Sequence, residues 1–246
     1  MKQKTVKLTI VGLLILITAS ANANAGFKDQ KAEEILNKYV TAAGGRDAIE
    51  KVQNLVSTSE LLFQETGISI NRKIIETRSQ EYYIKVTSSR LGEITRGYDG
   101  SNYWEKRQDK IRLIDEAEKK SILNSTAFLR YAEWKKNLVS CTYEGIVNKG
   151  ETELHKVAVV TIYGAKETWY FYKTNNLLAQ IEESLELPGE ISSVVTSFED
   201  YREVNGVFFS FTQTIHMPGQ TRRITFSEIL PNQEINQSMF RMPGTE

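Results

Sequence analysis

The chain has 246 residues and carries 31 basic and 31 acidic side chains. That balance argues against a nucleic-acid partner, which calls for a basic patch, and against a strongly charged membrane-docking face. A single cysteine, Cys141, excludes an internal disulfide.

The first residues predict export. Lys2, Lys4 and Lys7 give a positive start, Leu8 to Thr18 is an apolar run, and Ala23-Asn24-Ala25 offers small residues for cleavage. This is the three-part layout of a secretory signal in residues 1–25, cleaved after Ala25. The competing reading is an uncleaved anchor, but the run falls short of the ~20 apolar residues a bilayer span needs. No cysteine follows the small residues, which argues against a lipid-anchored mature chain. The remaining residues, 26–246, read as a single domain with an acidic excess of about three charges.

Asp29 to Ala43 predicts a helix. Ala32, Ile35, Leu36, Tyr39, Val40 and Ala43 recur at steps of three and four and make one apolar stripe. Asp29 can accept from the free amides of the first turn, and Gly44-Gly45 stops the helix. A shorter turn follows from Asp47 to about Val52.

From Leu55 the period becomes two. Ile68, Ile70 and Arg72 alternate with polar residues, and so do Tyr82, Ile84 and Val86. Tyr98-Asp99-Gly100-Ser101-Asn102 reads as a tight turn into Tyr103-Trp104, and Lys110 to Ile114 as a short strand. Asp115 to about Lys136 breaks the series. It predicts one or two helices interrupted near Asn124, with Phe128, Leu129 and Trp134 as either a movable lid or a permanently docked helix. Strands resume at Leu138: Val157 to Tyr163, Glu167 to Tyr172, Leu177 to Glu186, Ser192 to Val204, Val207 to Met217 and Thr221 to Leu230. They are joined at Thr174-Asn175-Asn176, Pro188-Gly189, Asn205-Gly206 and Pro218-Gly219. Asn-Gly between alternating runs is a strong hairpin signal, and short loops mean antiparallel neighbours. Ile235 and Phe240 should pin an irregular tail. This order predicts an α+β fold, mainly antiparallel β, with one curved sheet and helices on its concave side.

Chemistry is sparse. His155 and His216 are far apart, short of the three ligands a metal wants, and no G-x-S-x-G nucleophile elbow occurs. Glu182-Glu183 and Glu199-Asp200 point to opposite faces of their strands and read as solvated edges. Cys141 reads as a small buried hydrophobe. The expectation is a protein without enzyme activity, metal or cofactor.

Four stretches resemble a known family. They are Ala32 to Gly45 running on through Ile49 and Val52, Gly97-Tyr98-Asp99-Gly100 with Tyr103-Trp104, Ser197-Phe198-Glu199-Asp200-Tyr201-Arg202-Glu203-Val204-Asn205-Gly206-Val207, and the closing Ile229, Ile235, Phe240 and Pro243. In this order they are similar to the periplasmic lipoprotein-carrier superfamily of LolA, LolB and the sensor RseB, and especially to the outer membrane lipoprotein-sorting group. The resemblance implies a periplasmic half-barrel of about eleven strands with an open cavity, and acyl chains of lipids or lipoproteins as partners. In the lipoprotein carrier a strand arginine serves to open and close the cavity. Arg72, Arg78, Arg96 and Arg112 all lie near strands here and none is singled out, so no functional residue is carried over.

An acyl chain costs about 0.8 kcal/mol per CH₂ in water, so a sixteen-carbon chain needs apolar surface worth on the order of 12 kcal/mol. The chain has 3 Trp, 11 Tyr and 10 Phe to supply it. Tyr82, Ile84, Trp104, Phe128, Trp134, Trp169, Phe171, Phe209 and Phe211 are the residues expected to line such a cavity, although each also suits an ordinary core. A lipid or lipoprotein carrier is the first expectation. The alternative is a sensing or scaffold module that docks an envelope protein.

Overall fold

The computed structural model describes residues 29–90, 92–187 and 190–244. The expected leader with its cleavage site and the expected Pro188-Gly189 turn lie outside the described residues.

Helix α1 (Gln30–Ala42) opens the structure and buries the anticipated stripe, Ala32, Ile35, Leu36, Tyr39 and Val40. Asp29 has two jobs. Its Oδ1 accepts the Lys31 amide at 2.7 Å, capping the helix, while Oδ2 accepts the Tyr143 amide at 3.1 Å. Those amides, Tyr143 first, hold the Asp29 carboxyl below its ordinary range. A glycine corner leads to α2 (Arg46–Lys51).

Two meanders follow. The first is β1 (Asn54–Phe63), β2 (Ile68–Thr77), β3 (Tyr82–Ser88), β4 (Gly92–Tyr98), β5 (Tyr103–Arg107) and β6 (Lys110–Leu113). Then come α3 (Glu116–Thr126) and α4 (Trp134–Asn137). The second meander is β7 (Leu138–Lys149), β8 (Thr152–Thr161), β9 (Lys166–Tyr172), β10 (Leu178–Leu187), β11 (Glu190–Val204), β12 (Val207–Met217) and β13 (Gln220–Pro231), with a 3₁₀ turn at Gln237–Phe240.

All thirteen strands form one antiparallel sheet in the order β6-β5-β4-β3-β2-β1-β13-β12-β11-β10-β9-β8-β7. The first and last strands therefore meet at its centre, and the α3–α4 connection runs from one edge to the other. Laid flat, thirteen strands at the usual spacing span about 58 Å. A connection made mostly of helix and turns reaches only on the order of 40 Å. The sheet has to bend for its edges to be joined this way, and the result is an open, curved half-barrel.

Thirteen strands replace the expected eleven or so. β4 carries Gly92 and Gly97 and shows little apolar alternation. The β7–β8 hairpin turns on Gly150 at φ 61° in a run of polar residues that gave no hydrophobic signal. The helical break also falls later than expected. Asn124 lies within α3, and turns occupy residues 128–133. By contrast, the Asn205-Gly206 hairpin has φ 51° and 80°, the two positive angles of a tight primed turn.

The largest core lies under α1 and the 128–134 segment. Tyr39, Trp134, Trp169, Phe171, Phe198 and Phe211 pack there against the inner faces of β7–β12. A second cluster, Tyr82, Tyr98, Tyr103 and Ile114, sits under α3, and a third, Leu61, Ile70 and Ile224, lies on the central strands. The tail crosses the opposite face of the sheet. Trp104 Nε1 donates to the Phe240 carbonyl at 2.8 Å, and its indole lies where a Cβ on Gly97 would stand, 2.5 Å away.

Candidate functional site

A cavity of about 280 Å³ lies between β3–β5 and α3. Its walls are Tyr82, Ile84 and Val86 of β3, Ile94 and Arg96 of β4, Tyr103 of β5, and Ile122, Ser125 and Thr126 of α3. The strand register explains this set. Ile84 pairs with Arg96, Val86 with Ile94, and Tyr98 with Tyr103, and directly paired residues share a face. Tyr103 stacks between Tyr82 and Tyr98, with ring centroids at 6.3 and 5.7 Å. Lys119 of α3 lies over the Tyr98 ring at 5.6 Å.

One wall is charged. Arg96 Nε donates to Glu105 at 2.7 Å, and Arg107 and Arg112 donate to the same carboxylate at 2.9 and 3.1 Å. Arg112 also reaches Glu118 at 3.0 Å. Burial alone would raise the Glu105 carboxyl, yet the three guanidinium groups hold it at about 2. Tyr103 is 2% exposed, and its hydroxyl is buried without a hydrogen-bond partner.

On β2 the same inner face carries Arg72 and Glu76. Arg72 donates to the Ser59 hydroxyl at 2.9 and 3.2 Å. Burial pushes the Glu76 carboxyl up to about 7, with Arg72 pulling the other way. The folded protein thus holds a proton on Glu76 that the unfolded chain releases near its ordinary value. Below that value both states are protonated and nothing is lost; stability falls as pH rises from the ordinary value to about 7. Glu76→Gln should therefore raise the denaturant midpoint at pH 8 and leave it unchanged at pH 4, which paired unfolding titrations check.

The structure divides the nine expected cavity residues three ways. Tyr82 and Ile84 line the cavity. Phe128, Trp134, Trp169, Phe171 and Phe211 sit in the α1 core, with half-buried Phe209 packed against it. The rings touch closely there: Tyr39 to Phe171 at 5.5 Å, and Tyr131 to Trp169 at 5.1 Å. Trp104 faces the other side of the sheet, beneath Phe240. Sequence reasoning left out Ile94, Arg96, Tyr103 and Ile122. The pairing of Tyr98 with Tyr103 across the Asp99-Gly100 turn is the signal that would have placed Tyr103 inside and Trp104 outside.

The α3–α4 segment is docked at both ends. Glu167 of β9 accepts from Arg130, from Asn124 at 2.9 Å and from the Trp169 indole at 2.8 Å. Arg78 bridges Glu133 at 2.6 Å and the carbonyls of Ile49 and Val52 at 2.6 and 2.9 Å. Glu183, expected to be a solvated edge, is half-buried instead. Burial first, then the neighbouring Glu167, raises its carboxyl. Cys141 is fully buried, as expected. Among the described residues no group of three or more His, Cys, Asp and Glu is placed to hold a metal ion. No described helix is long and apolar enough to cross a membrane.

No protein-family model matches the sequence, and no curated protein does. Solved structures do match. A LolA superfamily protein from Nitrosomonas europaea superposes with a TM-score of 0.61 at 8% identity, covering 86% of this chain and 97% of its own. A DUF1329 family protein from Desulfovibrio piger gives 0.59 at 12% identity, covering 85% and 97%. An outer membrane lipoprotein-sorting protein domain from Vibrio parahaemolyticus gives 0.57 at 11% identity, covering 83% and 97%. At such identities the likeness concerns the fold, and it agrees with the resemblance carried by the sequence motifs: the chain has the LolA/LolB/RseB-like fold.

Proposed function

We propose that residues 26–246 form one LolA-like domain that works in the periplasm as a carrier or binding protein for lipids or lipoproteins, sequestering acyl chains without covalent chemistry or a cofactor. The observation that carries this reading is the cavity between β3–β5 and α3. Its volume of about 280 Å³ lies near the lower end of ligand pockets, ~300 Å³. Its apolar wall also continues beyond it. Val86 belongs both to the cavity and to the cluster of Leu61, Ile70, Ile224, Phe63, Ile215 and Phe226 on the central strands. A chain lying along Val86 therefore meets further apolar side chains beyond the cavity, beside Arg72 of β2. The fold shared with the lipoprotein-sorting domain from Vibrio parahaemolyticus supports the same class of cargo, and the leader supports the compartment.

Native mass spectrometry of protein purified from periplasm, with lipid extraction of the same sample, tests the reading. A bound adduct that is lost on extraction, and uptake of a fluorescent fatty acid by the stripped protein, are expected. Protein that arrives empty and takes up no fatty acid contradicts it.

A second reading has its own support. The inner face of β7–β12 is filled by α1 and by the side chains of Phe128 and Trp134, so that half of the sheet leaves little room for a guest. A filled half suits a sensing or scaffold module that docks an envelope protein. A pull-down that recovers such a protein with no lipid bound favours it.

A further inference from the structure

The cavity is not uniformly greasy, and three features at its polar end bear on what it could hold. Tyr103 brings a hydroxyl that is buried and unpartnered, although a buried hydroxyl without a hydrogen bond is costly. Arg96 faces Glu105 through Nε and Nη2, and its Nη1 has no hydrogen bond among the described residues. The linked cluster of Arg96, Arg107, Arg112, Glu105 and Glu118 holds one positive charge in excess. A donor, a spare guanidinium N–H and a net positive field converge beside an apolar wall.

We propose that this cavity is a site for the acid head of a single-chain amphiphile, a fatty-acid carboxylate. The carboxylate accepts from Tyr103 Oη and Arg96 Nη1, and the chain runs along Ile84, Val86, Ile94 and Ile122 toward the central strands. A carboxylate suits the site because its two oxygens can take both donors at once. It also balances the surplus charge, which a neutral alcohol or ester does not. The proposal rests on the carrier reading and narrows it to an anionic, single-chain ligand.

Calorimetric titration with decanoate and with methyl decanoate separates the two. The chains are equal and only the charge differs. Wild-type protein should bind decanoate at least about tenfold more tightly than the ester, as expected for hydrogen bonds to a charged group. Tyr103→Phe and Arg96→Gln should each weaken decanoate by about tenfold and leave the ester within about twofold. Tyr103→Phe removes only a hydroxyl with no partner, so its melting temperature should be unchanged or higher. A marked drop would mean that the hydroxyl serves the fold, and would overturn the proposal. Equal binding of acid and ester overturns the anion site while the carrier reading stands. Binding of neither overturns both.

Discussion

Replacing Glu167 by alanine should destabilise the protein by about 3–5 kcal/mol, because it leaves a buried guanidinium uncompensated. Glu167 and Arg130 are 4% and 6% exposed, and the nearest other carboxylate, Glu183, is 3.9 Å from Arg130. The same carboxylate also holds Asn124 of α3 and the Trp169 indole. One deletion thus frees an arginine, an amide and an indole N–H, each buried. It also unhooks the chain where it crosses from one sheet edge to the other. Glu167→Gln keeps the shape and two of the contacts, and should cost less. The double change Glu167→Leu with Arg130→Met should recover much of the loss, since apolar replacement of a buried pair is often neutral. Denaturant unfolding of the three variants checks the order. A loss below about 1 kcal/mol for Glu167→Ala, typical of exposed pairs, would contradict the docking described for α3 and α4.

Gly44→Ala should cost about 3 kcal/mol or more, or prevent folding, because strain and collision add. Gly44 has φ 121°, and a Cβ there would lie 2.1 Å from the Gly206 carbonyl oxygen and 3.0 Å from the Val207 Cα. Both obstacles are backbone, and both belong to the β11–β12 hairpin. The hairpin is itself pinned by the Phe208 amide donating to the Ala43 carbonyl at 2.9 Å. Neither side can yield without moving the corner that sets α1 on the sheet. Gly45 is the control. Its φ of 84° and ψ of 161° also suit only glycine, but a Cβ meets nothing within 4 Å, so Gly45→Ala should cost the backbone strain alone, about 1–3 kcal/mol. Equal losses at the two positions, measured by thermal or chemical unfolding, would mean that the corner is not closely docked.

Much of this fold is legible in the sequence where the signal is local. Asp29, the apolar stripe of α1 and the Gly44-Gly45 stop place the helix to within a residue at each end. Asn205-Gly206 places a hairpin, and the alternation of Val207 to Met217 places β12. Where local signal is weak the reading misses. β4 has two glycines and one well-placed isoleucine, and the Gly150 turn sits in a polar run. The pairing of β1 with β13, which closes the sheet at its centre and forces the crossover of α3, leaves no local trace at all. The candidate site is harder still. Apolar alternation looks the same whether a helix covers it or a space remains, so Phe171 in the solid core and Ile84 on the cavity wall read alike. Trp104 shows a second reason. A shift of one residue moves a side chain to the opposite face, and only the register across the Asp99-Gly100 turn decides that Tyr103 points in and Trp104 out.

The central claim is that a guest chain occupies the space under α3 and not the core under α1. Paramagnetic NMR with a fatty acid spin-labelled on its chain tests it most directly, read on the isoleucine methyl groups. The account predicts broadening of Ile84, Ile94 and Ile122, with Ile35 and Ile181 of the filled core untouched. Uniform broadening, none at all, or broadening centred on Ile35 would contradict it.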